Sequence, residues 1–205
     1  MIDPAFLITA FTALFVVIDP IGLTPMFVTL TQGMSAQARR AIALRACLVA
    51  FAILAAFAVF GEAVLGFVGI SMPAFRVAGG ALLFLTALDM LFERRSTRRQ
   101  GQAEEDRPDP SVFPLALPLI AGPGSIATVI LLTSQQTDTL GLASVIGVVF
   151  AVLVMAILFF LAAGLLERLL GKTGINIATR LLGMLLAALA VQFILDGLTA
   201  FGFAG

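Results

Sequence analysis

At 205 residues the chain is 60% apolar and 12% charged, and its twelve basic and twelve acidic side chains cancel. Soluble domains run near a quarter charged, so a soluble fold is excluded, and zero net charge gives no pull toward nucleic acid. Histidine, tryptophan and tyrosine are absent, which removes His-built zinc sites, Ser–His nucleophile pairs, axial-His haem and the usual aromatic belt at the membrane surface.

The apolar residues fall into six blocks, at about 5–30, 41–60, 74–92, 112–133, 141–165 and 177–200. Each is close to the ~20 residues with which a helix crosses a bilayer. They are apolar on all sides rather than alternating, which excludes a β-barrel. The expectation is an all-α integral membrane protein with six transmembrane helices. Met1, Ile2, Asp3 and Pro4 carry no positive charge ahead of the first block, and that block is longer than a signal-peptide core, so it is expected to persist as the first span.

The first block is interrupted by Asp19-Pro20-Ile21-Gly22. Proline inside a helix deletes a backbone hydrogen bond, at a cost of about 3 kcal/mol. In hydrocarbon the freed groups find no water, so such a break survives only against protein or a wet cavity. Asp19 followed by Pro20 has the grammar of an N-cap and a first-turn proline, a helix start placed at mid-membrane. Pro25 offers a second reading, with the restart at Thr24-Pro25. A carboxylate at that depth costs about 2.5–3.5 kcal/mol on insertion scales. Asp19 is therefore read as a cap, a proton carrier, a cation ligand or the partner of a substrate ammonium, and these roles are compatible.

The second block holds Cys47, the single cysteine, which can form no internal disulfide. In the third, Arg76 sits in the entry turn and Asp89 near the far end. Residues 93–110 follow, with Arg94, Arg95, Arg98 and Arg99 ahead of Glu104, Glu105 and Asp106, and are expected to be a flexible charged linker between residues 1–92 and 111–205.

The fourth block is interrupted by Gly122-Pro123-Gly124-Ser125, which repeats the grammar of the first break. Pro20 and Pro123 are 103 positions apart (123 − 20), as are Gly61 and Gly164 (164 − 61), while Arg76 and Arg180, like Gly79 and Gly183, are 104 apart (180 − 76 and 183 − 79). Three spans per half make the second half cross in the reverse sense, so two inverted three-helix repeats are expected, with broken helices in spans 1 and 4. Connections 31–40, 93–109 and 167–180, with nearby span ends, carry every basic residue except Arg76. That side is expected to be cytoplasmic and both termini to face outward.

Two half-helix starts arriving from opposite sides would present unpaired, partly positive N–H groups to a shared hydrated chamber. Such a seat suits an anion, in particular the carboxylate of an amino acid. Gly22, Gly122 and Gly124 are expected to let backbone approach the ligand, and Thr24, Ser125 and Thr128 to supply hydroxyls. Gly122 stands where the first half has Asp19, so the site is expected to be asymmetric. The alternative is a pair of kinks tolerated by neighbouring helices. Arg76 and Arg180 are candidates for gating or for attracting a carboxylate, against simple snorkelling. Gln192, deeper in the last block, joins Asp19, Arg76 and Arg180 as a candidate for coupling or gating, with a bond across helices as its other reading. Asp196, like Asp89, is expected at the interface, and Gly61, Gly66, Gly69, Gly79 and Gly80 to permit close helix packing.

The stretch Ile18 to Phe27, which includes Asp19, Pro20, Gly22 and Pro25, together with Pro118 to Ile126, which includes Gly122, Pro123, Gly124 and Ser125, resembles the MarC family of bacterial inner-membrane proteins. The resemblance covers the length, the six spans, the charged central loop and both motifs. It implies secondary transport of small neutral amino acids of the glycine and alanine type, in the inner membrane, with the lipid bilayer as surroundings. No cofactor beyond a coupling H+ or Na+ is expected. The rival readings are a channel, a non-transporting accessory protein and an intramembrane enzyme. The last lacks a His, an acidic partner in the second break and a Ser–Lys pair, so no enzymatic activity is expected.

Overall fold

A computed structural model of the chain describes residues 3–92, 109–136 and 138–203. The 93–108 part of the expected linker lies outside them. The elements, in order, are α1 Pro4–Ile18, α2 Pro20–Leu30, α3 Ala36–Val68, α4 Met72–Leu91, α5 Ser111–Ile120, α6 Pro123–Thr133, α7 Thr139–Leu161 and α8 Ala163–Ala200. Among the described residues no strand occurs. Five stretches are long and apolar enough to span a membrane, and α5 with α6, bent by 55° at their break, makes a sixth. The six apolar blocks thus become six spans.

Helix boundaries follow local chemistry rather than the edges of the apolar blocks. The second block covers only the middle of α3, which has 33 residues, about 50 Å at 1.5 Å per residue and longer than the hydrocarbon core. Ser35 starts it by accepting from the Ala38 N–H, and Gly69 ends it with a positive φ of 83°. The fifth block is cut at Ala162, and the chain then turns at Gly171, whose φ of 60° and ψ of 179° lie outside helical space. Helix starts recur at one spacing: Pro20 and Pro123, Ala36 and Thr139 (123 − 20 and 139 − 36 both give 103).

The two halves differ most at α5. Pro114 and Pro118 crowd the residues before them, and proline disfavours the helical region for its predecessor. Phe113 (φ −127°, ψ 125°) and Leu117 (φ −124°, ψ 128°) are accordingly extended, with both X–Pro bonds cis. The segment winds with wide turns, as in Leu115 N–H to Pro110 O and Ala121 N–H to Ala116 O. It is not a regular counterpart of α1.

α4 and α8 pack antiparallel along small residues. Gly80 faces Ala190 and Ile194, Gly183 faces Ala87 and Met90, and Gly197 faces Pro73 and Val77, so numbers rise along one helix as they fall along the other. A Cβ on Gly80 would stand 2.7 Å from the Ala190 carbonyl; glycine here lets backbones touch, the usual device between membrane helices. α3 lies against α5, α6 and α7, while α7 lies against α1 and α2. α6 is the most enclosed element, buried at every position from Gly124 to Thr133 except Ile126. Large apolar side chains such as Phe67, Leu48 and Leu169 point outward, the reverse of a soluble surface and what a lipid solvent permits.

Candidate functional site

Asp19 closes α1 and opens α2 in one residue. Its N–H donates to the Phe15 carbonyl, its carbonyl accepts from Leu23, and its carboxylate accepts from the Gly22 N–H at 3.0 Å. To do all three it takes the left-handed conformation (φ 57°, ψ 63°), the sole non-glycine residue with positive φ among those described. That conformation costs an L-residue about 1–2 kcal/mol, so the three bonds hold it against a real penalty. The start is therefore at Pro20, and Pro25 lies inside α2, where it withdraws the donor that would serve the Ile21 carbonyl.

The second break keeps the grammar without the charge. Gly122, extended at φ −87° and ψ 173°, is the N-cap of α6, Pro123 takes the first turn, and no side chain caps the helix. The two starts consequently carry opposite character. At α2 a carboxylate covers the amides; at α6 the partial positive charge of the helix end is left to whatever approaches.

Packing brings the breaks together. A Cβ built on Gly124 would lie 3.0 Å from Val17 Cγ2, 3.5 Å from Leu83 Cδ2 and 3.8 Å from Thr86 Oγ1. Val17 is two residues before Asp19, so the start of α6 rests on the last turn of α1, with α4 closing the third side. Val17 and Leu83 did not stand out in the sequence, because apolar residues in an apolar span carry no label, and Thr86 lies outside both motifs.

Several expected roles are reassigned by the geometry. The space beside Gly22 is filled by the Asp19 carboxylate, where a Cβ would meet the acid oxygen at 2.2 Å; at Gly122 a Cβ would meet the Pro118 carbonyl at 2.4 Å. Both glycines are required by the chain itself rather than kept open for a ligand. The hydroxyls are committed as donors: Thr24 to Pro20 O at 2.9 Å, Ser125 to Ile120 O at 2.7 Å and Thr128 to Gly124 O at 2.8 Å. Each retains only its acceptor capacity, which suits an ammonium better than a carboxylate. Asp19 and Thr24 are fully buried, with Thr128 and Ser125 nearly so. Among the described residues, the breaks meet in close packing.

The remaining candidates lie apart from the breaks. Arg76 donates to Ser134 Oγ at 3.4 Å, at the C-terminal end of α6, about 18 Å along the helix from Gly122. Arg180 is exposed on α8. Gln192 bonds within its own helix, donating to Asp196 Oδ1 at 2.7 Å, instead of across helices.

Cavities among the described residues stand elsewhere. One, of about 330 Å³, is an apolar groove between α3 and α7 that includes Cys47, Phe51 and Phe150. Another, of about 260 Å³, is polar and lined by Glu62, Thr133, Gln136, Asp138 and Thr139. Glu62 was a readable signal, as the single acidic residue of α3. Near the other end of α3, Arg45 pairs with Asp109. Hydrogen bonding from Ser111, and then the Arg45 guanidinium, hold the Asp109 carboxyl below the usual carboxylate value. Among the described residues no cluster of His, Cys, Asp and Glu could hold a metal.

Comparison with known proteins agrees with this architecture. The family model described as "MarC family integral membrane protein" matches residues 5–201. The chain is 40% identical over 199 residues to the UPF0056 membrane protein YvbG of Bacillus subtilis (strain 168), covering 95% of this chain and 94% of that one. It is 38% identical to the UPF0056 membrane protein MJ1677 of Methanocaldococcus jannaschii, covering 96% and 97%. It is 34% identical to the UPF0056 inner membrane protein YhgN of Escherichia coli (strain K12), covering 94% and 95%. No solved structure matches.

Proposed function

The chain belongs to the MarC family of integral membrane proteins, and from that premise we propose that it is a secondary transporter of small neutral amino acids in the inner membrane. The observation that carries the reading is the contact between the two breaks, where Gly124 at the uncapped start of α6 rests on Val17 in the last turn of α1, two residues before the carboxylate cap of α2. Kinks alone require no such meeting. A zwitterion fits it: the substrate carboxylate takes the bare amides at the start of α6, and its ammonium turns to Asp19 and to the lone pairs of Thr24, Ser125 and Thr128.

Residues 1–92 and 111–205 act as inverted repeats joined by a cytoplasmic 93–110 linker, with both termini outward. The recurrence of helix starts at one spacing and the antiparallel α4–α8 pair support this division. In an inverted pair, rocking one half against the other exposes a central site to each side in turn. The closed packing at Asp19 and Ser125 then corresponds to a state between two openings. Asp19 either carries the coupling proton or holds the ammonium, and no enzymatic step is assigned.

The test is flux. Purified protein in proteoliposomes is expected to accumulate labelled glycine or alanine above empty vesicles, with saturation. Folded protein that moves neither rules out the substrate class, and flux without saturation favours a channel.

A further inference from the structure

We propose that Phe27, Phe160 and Arg39 form the gate on the basic side of the membrane, and that the polar cavity at the opposite end is the vestibule through which the two breaks are reached. This rests on the transporter reading above and adds a sidedness to it.

Phe27 lies on α2 two turns beyond Asp19, and Phe160 lies in the last turn of α7, just before the interruption at Ala162. Their rings stack with centroids 4.7 Å apart and planes within 10°, and both side chains are buried. The Arg39 guanidinium stands 5.7 Å from the Phe27 ring centre, within the range of a cation–π contact. α2 therefore carries the capped break at one end and the plug at the other. A movement of this 11-residue helix reports on both.

The matching place in the second half is built differently. At the 103-residue spacing, Ile130 stands for Phe27 and Phe57 for Phe160 (130 − 27 and 160 − 57), and Gly61 is the counterpart of Gly164 (164 − 61). There Ile130 of α6 packs on the bare backbone of α3: a Cβ on Gly61 would meet Ile130 Cγ1 at 2.6 Å. Directly beside this seam opens the 260 Å³ cavity with Glu62, Thr133, Gln136 and Asp138 on its walls. One end thus has two stacked rings under a cation. The other has an aliphatic side chain on bare backbone beside a polar basin. A polar basin admits water and a zwitterion where buried stacked rings do not, so this conformation opens toward the face away from the basic loops.

The test uses full-length protein with Cys47→Ser and single cysteines at Thr133 or Ser125, probed by a membrane-impermeant methanethiosulfonate reagent in right-side-out and inverted vesicles. Thr133→Cys is expected to react from the outer face alone, and Ser125→Cys more slowly, also from the outer face. Adding Phe27→Ala is expected to raise labelling of Ser125→Cys from the basic side by up to about tenfold, the population shift that one aromatic pair supports. Arg39→Gln, which leaves both rings in place, is expected to give a smaller rise and serves where the alanine variant does not fold. Two results overturn the proposal: Thr133→Cys reacting from the basic side, or Ser125→Cys remaining as protected there after Phe27→Ala or Arg39→Gln as before. No flux enters this measurement. Predicted labelling with no transport in proteoliposomes would sink the transporter reading while keeping the gate, and transport with unchanged labelling would do the opposite.

Discussion

Asp19 bears three backbone duties and a charge in one buried left-handed residue, so its substitutions separate structure from chemistry. Asn tolerates the left-handed region and caps helices about as well as Asp. Asp19→Asn is therefore expected to insert and fold while losing uptake driven by a pH gradient, as read by flux in proteoliposomes. Retained pH-driven uptake would leave Asp19 as a cap only. Asp109 offers a milder case outside the spans. Its carboxyl is depressed in the folded protein by Ser111 and Arg45, so it contributes stability above the unfolded carboxylate value, and that contribution is lost as pH falls through the lower folded value. Because the pair is exposed, the effect is small. Asp109→Asn should lower thermal stability slightly near neutral pH, and the gap between variant and parent should close in acid; a gap that is constant with pH would contradict the assignment.

At the scale of the helix, glycine positions separate into those that hold a seam and those that face open space. Gly80→Val is expected to cost about 1–3 kcal/mol by overpacking against the Ala190 backbone and Ile194. Gly66, in the same membrane environment but with nothing near its missing Cβ, should accept Ala with a gain of up to about 1 kcal/mol of helix propensity. Thermal unfolding in detergent checks the pair, and equal responses would mean that the α4–α8 seam does not carry the packing ascribed to it. The helix starts themselves were legible in the sequence, because Asp19-Pro20 and Gly122-Pro123 are local grammar that needs no tertiary context. The irregular α5 was legible in principle, since Pro114 and Pro118 each constrain the residue before them. What Gly22 and Gly122 make room for was not, because a glycine announces a close approach without saying by what. Gln192 illustrates the same limit: a polar side chain in a span must find a partner, but only the helix register shows that Asp196 is one turn away.

For the molecule as a whole, two broken spans pack so that the uncapped start of α6 lies on the last turn of α1, next to the carboxylate that caps α2. The six-span architecture and the pairing of the motifs could be read from hydropathy and spacing alone. The closed state could not, because it depends on Val17, Leu83 and the Phe27–Phe160 stack, long-range contacts among residues that look like any other part of an apolar span. Nor could the asymmetry between a plugged end and a basin-like end, which emerges only when α3, α6 and α7 are laid side by side. Recognition of both ionic groups of one small molecule is the function that this arrangement suits best. Equilibrium binding of labelled alanine to the purified protein tests it most directly, with unlabelled ethylamine and propionate as the two halves of the ligand. Alanine should bind and be displaced by alanine at least about tenfold better than by either half, since each charged hydrogen-bonded contact is worth about 1.5–3 kcal/mol. Displacement by either half as effective as by alanine itself, or no alanine binding by folded protein, would contradict a site built from the two opposed helix starts.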